Sequence, residues 1–90
     1  MTIRVEFYGI ARQRAGSESA EVPIPGPTSL EAVIRYLVAE FPNLATECLQ
    51  GNQLQAGYVA NVDGQRFVRD PKTQLKDNSC LLIISADAGG

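Results

Sequence analysis

The chain has 90 residues, of which 44% are hydrophobic and 20% are charged, and its formal net charge is −2. These values fit one small globular domain with a single core and exclude a disordered chain. The acidic balance argues against nucleic-acid binding, and no segment resembles a membrane span or a signal peptide. We therefore expect a cytoplasmic protein that binds neither nucleic acid nor membrane.

Alternation of apolar and polar residues predicts two strands in the first quarter of the chain, over residues 2–8 and 19–24. Gly9 ends the first strand, and residues 9–16 are expected to form a long loop. Pro23 places the second strand at a sheet edge, because proline cannot donate a backbone hydrogen bond. These two strands should form a hairpin.

One long helix is predicted next. Thr28 and Glu31 have the spacing of a capping box, which starts a helix, and Pro42 ends it. The apolar positions between them recur at helical spacing and form one stripe, which we expect to cover a sheet. The stripe consists of Leu30, Val33, Ile34, Leu37, Val38 and Phe41.

The middle of the chain carries a short helix signal and a strong turn signal. Residues 44–49 predict a short second helix, followed by a loop over residues 51–55. Asp63-Gly64 separates two strand-like runs, residues 58–62 and 65–68, and this dipeptide is typical of a two-residue hairpin turn. We therefore expect two adjacent antiparallel strands there.

The run over residues 80–84 is apolar on both faces, which predicts the central strand of the sheet. The first and last strands should lie parallel to each other in the middle. The predicted architecture is α+β, a mixed sheet of about five strands with one long helix packed on one face.

The reactive residue types are few. The chain has no histidine, so Ser-His-Asp and Cys-His catalysis and the commonest transition-metal ligand are excluded. Cys48 and Cys80 are far apart in sequence and fit neither a zinc site nor a disulfide framework, so we expect two buried thiols. A self-sufficient enzyme and a bound metal are not expected.

The sequence printed here ends on Gly89-Gly90. A domain with this ending would present its terminal carboxylate on a backbone segment that has no side chains. The alternative is a frayed terminus without a role.

The element order and the terminal Gly89-Gly90 together resemble the β-grasp (ubiquitin-like) sulfur carriers of the MoaD and ThiS family. Residues 7–16 are similar to the MoaD pattern of paired aromatics, a small residue, an arginine and a closing glycine, with Arg12 on the family arginine. Arg14 stands where an apolar residue is usual. Residues 75–90 follow the family's last stretch without gaps: a leucine, a turn centred on an aspartate, an apolar strand, a short linker and Gly-Gly.

Three departures from that family occur near the end. Asn78-Ser79 replaces a frequent Gly-Asp, Ser85-Ala86 replaces a common Pro-Pro, and Asp87 occupies a usually apolar position. Asparagine tolerates a left-handed turn, so the first change suits the fold. The other two leave open which partner the tail enters, since the tail loses stiffness and gains a charge.

The resemblance implies a β-grasp domain over residues 1–85 and a flexible tail over residues 86–90. An E1-like enzyme would use ATP to adenylate Gly90, which would become a thiocarboxylate, with Asp87, Ala88 and Gly89 bound along a partner's channel. The chain itself would bind no cofactor.

The length favours a MoaD-type protein, the small subunit of molybdopterin synthase, whose partner is the large subunit of that enzyme. The tail could instead serve thiazole, cysteine or another sulfur pathway through a different sulfur-accepting enzyme. An alternative of another class is a ubiquitin-like modifier or interaction module without sulfur chemistry.

A partner surface is expected on the sheet face away from the helix. If Ile3, Val5 and Phe7 face the helix, alternation places Tyr8, Leu82 and Ile84 on the opposite side. We expect those three, with Phe67 and Arg12, to form the interface. The alternative is that neighbouring loops merely shield these side chains.

Overall fold

The computed structural model describes residues 1–46 and 48–85. The helices are α1 (Ile10–Ala15) and α2 (Leu30–Glu40), and a 3₁₀ helix spans Pro42–Thr46. The strands are β1 (Thr2–Phe7), β2 (Ser19–Pro23), β3 (Thr28–Ser29), β4 (Leu49–Gln50), β5 (Gln53–Leu54), β6 (Tyr58–Val62), β7 (Arg66–Val68), β8 (Gln74–Leu75) and β9 (Cys80–Ser85).

Five of these strands form one mixed sheet in the order β2-β1-β9-β6-β7. The central strand β9 runs parallel to β1 and antiparallel to β6, while β2 pairs antiparallel with β1 at one edge. The predicted central strand, the parallel middle pair and the edge position of the second strand are confirmed. Two short ladders, β3–β8 and β4–β5, lie outside this sheet.

The core lies between α2 and one face of the sheet. Leu30, Val33, Ile34 and Leu37 are buried on α2, while Val38 and Phe41 are partly buried, so the predicted stripe is confirmed. The Phe7 and Phe41 rings meet edge to face with centroids 5.5 Å apart. Because full burial of such side chains stabilises by about 1.5–3 kcal/mol each, this layer holds α2 on the sheet.

The connection between β1 and β2 is a short helix, so the predicted loop over residues 9–16 is wrong. α1 buries only Ala11, which is too little apolar periodicity for a sequence pattern to reveal. Gly16 ends the helix in the left-handed region at φ 72°, and its N–H donates to the Arg12 carbonyl at 3.0 Å.

The predicted capping box at the start of α2 is also wrong. Ser29 is the N-cap, and its hydroxyl oxygen accepts from the Ala32 N–H at 3.4 Å. Thr28 is instead a strand residue, paired with Leu75 in the β3–β8 ladder. The Glu31 carboxylate accepts from Lys72 Nζ at 2.9 Å. A tertiary strand pairing therefore determines which residue caps the helix.

Residues 44–55 also differ from the prediction. The helical turn is 3₁₀ and earlier than expected, at Pro42–Thr46, and residues 49–54 form the β4–β5 hairpin instead of a helix end and a loop. Gly51 has φ 62°, the left-handed geometry that such a tight turn requires.

The predicted pair of adjacent antiparallel strands around Asp63-Gly64 is confirmed, but the loop has three residues instead of two, because Val62 pairs with Arg66. Both residues of the dipeptide have positive φ, 58° and 72°, as a type I′ turn requires. The turn is tied to the central strand, because Asp63 Oδ1 accepts from the Cys80 N–H at 2.8 Å. Asn78 has φ 68°, in agreement with the left-handed turn expected there.

Candidate functional site

We call the side of the five-stranded sheet opposite α2 the outer face. Leu81 and Ile83 of β9 are fully buried in the core, so the residues between and beside them point to the outer face. The strand registers then give the remaining members on β1, β6 and β7. They include Arg4, Glu6, Val59, Asn61, Phe67, Cys80, Leu82 and Ile84, and on β2 the register adds Glu21, the strand partner of Arg4.

One half of the outer face is apolar. Ile84 lies opposite Val59, and both are half-buried. Leu82, two residues before Ile84 on β9, is also half-buried, and Phe67 at the β7 edge is 59% exposed. We call Val59, Phe67, Leu82 and Ile84 the apolar patch. The sheet thus brings together three of the side chains predicted from the sequence for the partner interface: Phe67, Leu82 and Ile84.

Val59 was missed from the sequence, although its position in an alternating run could have revealed it. The run 58–62 contains Tyr58, Ala60 and Val62 on its core side, all buried. Alternation therefore places Val59 on the opposite side. The sequence offered no sign that this side would lie next to β9.

The other half of the outer face is polar and internally paired. Arg4 contacts Glu6 at 3.0 Å and Glu21 at 3.3 Å. The Tyr8 hydroxyl donates to Glu6 Oε1 at 2.7 Å. That hydrogen bond, and then the one from Arg4, lower the pKa of Glu6, while the bond to Glu6 raises the pKa of Tyr8.

Tyr8 and Arg12 lie together where β1 and β9 end. The Tyr8 N–H donates to the Ile83 carbonyl at 3.2 Å. The Arg12 guanidinium carbon lies 5.4 Å from the centre of the Tyr8 ring, and its Nε donates to the Phe7 carbonyl at 3.0 Å. Arg12 is thereby held beside the end of β9, which is Ser85.

We predict that Glu6→Gln lowers the pKa of Tyr8 towards its ordinary value. Ionisation of Tyr8 removes the donated proton and places a second negative charge beside Glu6, so neutralising Glu6 makes that ionisation easier. An NMR titration of the Tyr8 ring signals measures the shift. Glu21→Gln makes the same charge change without touching Tyr8 and should have a much smaller effect. An unchanged Tyr8 pKa in Glu6→Gln would contradict the hydrogen bond.

The lowered pKa of Glu6 determines how its contribution to the stability of the fold changes with pH. A carboxyl whose folded-state pKa lies below its unfolded value stabilises the fold above the unfolded pKa, and this contribution is lost as the pH falls through the folded pKa. Solvent exposure of the pair keeps the effect small.

The two cysteines do not share one environment. Neither forms a disulfide within the described residues, and Cys48 is buried as expected, but Cys80 is only half-buried. Cys80 differs from the prediction because it occupies an outer-face position of β9, opposite Arg4. Burial, followed by the charge of Glu6, raises the pKa of Cys80, so the group is a thiol rather than a reactive thiolate at neutral pH.

The predicted tail residues Asp87, Ala88, Gly89 and Gly90 lie outside the described residues. The described chain reaches them through Ser85, which pairs with Tyr58. Over residues 1–46 and 48–85, no helix has the length and apolar character needed to cross a bilayer.

No protein-family profile and no curated protein sequence matches this chain. Several solved structures share its fold. SAMP1 from Haloferax volcanii is 15% identical, with a TM-score of 0.82 over 100% of both chains. A putative molybdopterin converting factor, subunit 1, from Pyrococcus furiosus is 21% identical, with a TM-score of 0.77 over 94% of this chain and 97% of that one.

A chain of the Amycolatopsis orientalis BexX/CysO complex is also similar, at 21% identity and a TM-score of 0.77 over 98% of this chain and 99% of that one. These similarities extend over nearly the whole domain. They confirm the β-grasp fold that the sequence resemblance implied.

Proposed function

We propose that this chain is a ubiquitin-like sulfur carrier whose reactive group is the carboxylate of Gly90. The observation that carries the proposal is the path of β9. This strand leads from the centre of the sheet to residues 86–90, and it borders the apolar patch and the Tyr8–Arg12 pair. A protein that received the tail would therefore meet an apolar docking surface beside it.

The proposed chemistry begins with activation of a poor electrophile. The Gly90 carboxylate attacks the α-phosphorus of ATP in an E1-like enzyme, and pyrophosphate leaves to give an acyl-adenylate. Hydrosulfide then attacks the acyl carbon, AMP leaves, and loss of a proton gives the thiocarboxylate. That anion is a soft nucleophile that a sulfur-accepting enzyme can use.

The tail suits this chemistry because of its length and its lack of side chains at the end. Five extended residues, 86–90, reach about 17 Å, which is sufficient to enter a partner's pocket. Gly89 and Gly90 have no Cβ to obstruct a narrow channel. Ala88 and Asp87 would then occupy the outer part of that channel.

The chain's own side chains supply little acid–base chemistry, since it has no histidine. In this proposal the partner provides catalysis, and this chain provides the acyl group and the docking surface. It is therefore a carrier or a small subunit rather than an enzyme.

For the destination of the sulfur, we propose molybdopterin, with this chain as the small subunit of molybdopterin synthase. Its support is the residue pattern over 7–16 and the shared fold with the putative molybdopterin converting factor subunit. Ser85-Ala86 and Asp87 depart from the expected tail, and the fold is equally shared with the BexX/CysO complex. A thiazole, cysteine or other sulfur pathway is therefore the competing destination.

A second candidate function is conjugation to other proteins. Its support is the similarity to a structure described as small archaeal modifier protein 1 from Haloferax volcanii, with a TM-score of 0.75 over 91% of this chain. In that case an amine of a target lysine, rather than hydrosulfide, would attack the activated Gly90.

We predict that the chain gains sulfur when it is incubated with the E1-like enzyme of the same genome, ATP, Mg²⁺ and sulfide. Intact-mass spectrometry should show replacement of one oxygen by sulfur, only when ATP is present. An unchanged mass with an enzyme that forms adenylate on another carrier would contradict the proposal. Covalent adducts with lysine-containing proteins, in place of the sulfur product, would identify a modifier.

A further inference from the structure

Arg69 directly follows β7, an edge strand of the sheet, and lies beside the point where β9 ends. The residue is exposed, and its guanidinium Nη1 donates a hydrogen bond to the Tyr58 carbonyl. Tyr58 is the strand partner of Ser85 and the chain neighbour of Val59, which belongs to the apolar patch. This hydrogen bond thus holds a positive charge next to both the apolar patch and the start of residues 86–90.

The Arg69 guanidinium has donors to spare and no counter-ion over residues 1–46 and 48–85. A guanidinium has five N–H donors, and the bond to Tyr58 uses one of them. The carboxylate of the next residue, Asp70, accepts instead from the Lys72 N–H at 2.9 Å. Other cations of the domain do have carboxylate partners: Arg4 with Glu6 and Glu21, Arg12 with Glu18, and Lys72 with Glu31.

A protein that covers the apolar patch and takes up the tail also removes water from Arg69. A charge that loses its water without gaining a partner destabilises the complex. A carboxylate is the group that best replaces this water, because a guanidinium can bind both carboxylate oxygens through two parallel N–H···O bonds. The bond to Tyr58 orients the guanidinium in advance, so less conformational entropy is lost when the carboxylate binds.

We infer, on the basis of the proposed function, that Arg69 is a specificity-determining residue that binds a carboxylate on the enzymes that receive the tail. This requirement applies to the activating enzyme and to the sulfur-accepting enzyme alike, because both take up residues 86–90 beside Arg69. The surface of each enzyme is then apolar with an acidic border. A protein with a positive charge at that border is rejected by like-charge repulsion.

The test is Arg69→Gln in the full chain, assayed by ATP–pyrophosphate exchange with the activating enzyme of the same genome. We expect the KM for this chain to rise at least about tenfold, with kcat unchanged, because one charged hydrogen-bonded pair is lost. Added NaCl should raise the KM of the wild type more than that of Arg69→Gln, because salt screens an ion pair that the variant lacks. Arg69→Lys keeps the charge and should recover part of the affinity.

Arg66→Gln is the matched control, because it makes the same charge change on the same edge strand. Arg66 pairs with Val62, whose side chain is buried on the core side and whose partner on β9 is Leu81, far from the tail. This control should therefore keep the KM of the wild type.

Thermal unfolding separates a docking role from a structural one. Arg69→Gln also loses the bond to Tyr58, so its melting temperature should fall by no more than about 4–8 °C. A purely structural role would lower the melting temperature without changing the KM of the folded protein or its dependence on salt.

The outcomes that overturn the role of Arg69 differ from those that overturn the proposed function. An unchanged KM in Arg69→Gln, an undiminished salt dependence, or an equal rise in Arg66→Gln would overturn it and leave the sulfur-carrier proposal intact. A rise that Asp87→Asn reproduces, and that the double variant does not increase, would make the tail's own carboxylate the counter-ion and overturn it as well. Failure of the wild type to support exchange, with an enzyme active on another carrier, would overturn the proposed function and the role of Arg69 together.

Discussion

Removal of Gly90 is expected to abolish sulfur transfer to the chain while leaving the domain folded. The deletion draws the terminal carboxylate back by about 3.5 Å, one extended residue, so it no longer meets the α-phosphorus of ATP in the activating enzyme. Near-attack geometry requires reacting atoms within about 3–3.5 Å, so a displacement of this size removes the reaction rather than slowing it modestly. Intact-mass spectrometry with the activating enzyme, ATP and sulfide measures the result.

The matched control is Ala88→Ser, which changes the tail without altering its length and should retain most of the activity. The melting temperature of the Gly90 deletion should equal that of the wild type, because the buried residues of the described core run from Ile3 to Ile83. If the deletion variant still exchanges one oxygen for sulfur, the acceptor is another carboxylate, and the new terminal carboxylate of Gly89 would be the first to map. Such a result would refute the assignment of Gly90.

Ile84→Asp should raise the KM for the activating enzyme at least about a hundredfold, the effect of placing an unpaired charge in a desolvated apolar contact. Ile84 is half-buried on the outer face, so the isolated domain should still fold, with a loss near the ~1 kcal/mol span of strand propensity. Pyrophosphate exchange gives the KM, and thermal unfolding gives the stability.

The neighbouring isoleucine is the matched control. Ile83 is fully buried on the core side of the same strand, and Ile83→Ala should cost about 2–5 kcal/mol of unfolding free energy while barely changing the KM of the folded fraction. Ile84→Asp should thus raise the KM with little loss of stability, whereas Ile83→Ala should lower the stability with little change in the KM. Unfolding of Ile84→Asp would place Ile84 in the core, and a folded Ile84→Asp with a normal KM would remove the apolar patch from the docking surface.

The elements predicted best from sequence are those with a long or unambiguous pattern. The stripe of α2 extends over three turns, and the Asp63-Gly64 turn has the residues that positive φ angles require. The elements missed are short. α1 buries one residue, and the β4–β5 hairpin has two residues in each strand, so neither repeats often enough to establish a period.

The candidate site was predictable to the extent that alternation determines the side of a strand. That rule places Leu82 and Ile84 opposite the core, as found. It says nothing about Asn61, because a polar residue in a strand can be solvated, paired or, as here, buried without a partner. Only the neighbours supplied by other strands distinguish these cases.

By itself, the sequence determined the number and type of the main elements, the exclusion of histidine chemistry and the glycine pair that the proposed function uses. These depend on residue identity and on periodicity within one segment. The tertiary structure decided which segments meet: Val59 beside Ile84, Asn61 between Phe67 and Leu82, and Arg12 over Tyr8. The physical reason is that such contacts depend on the register between strands, which arises from long-range hydrogen bonds and shared burial and is not encoded in the pattern of one segment.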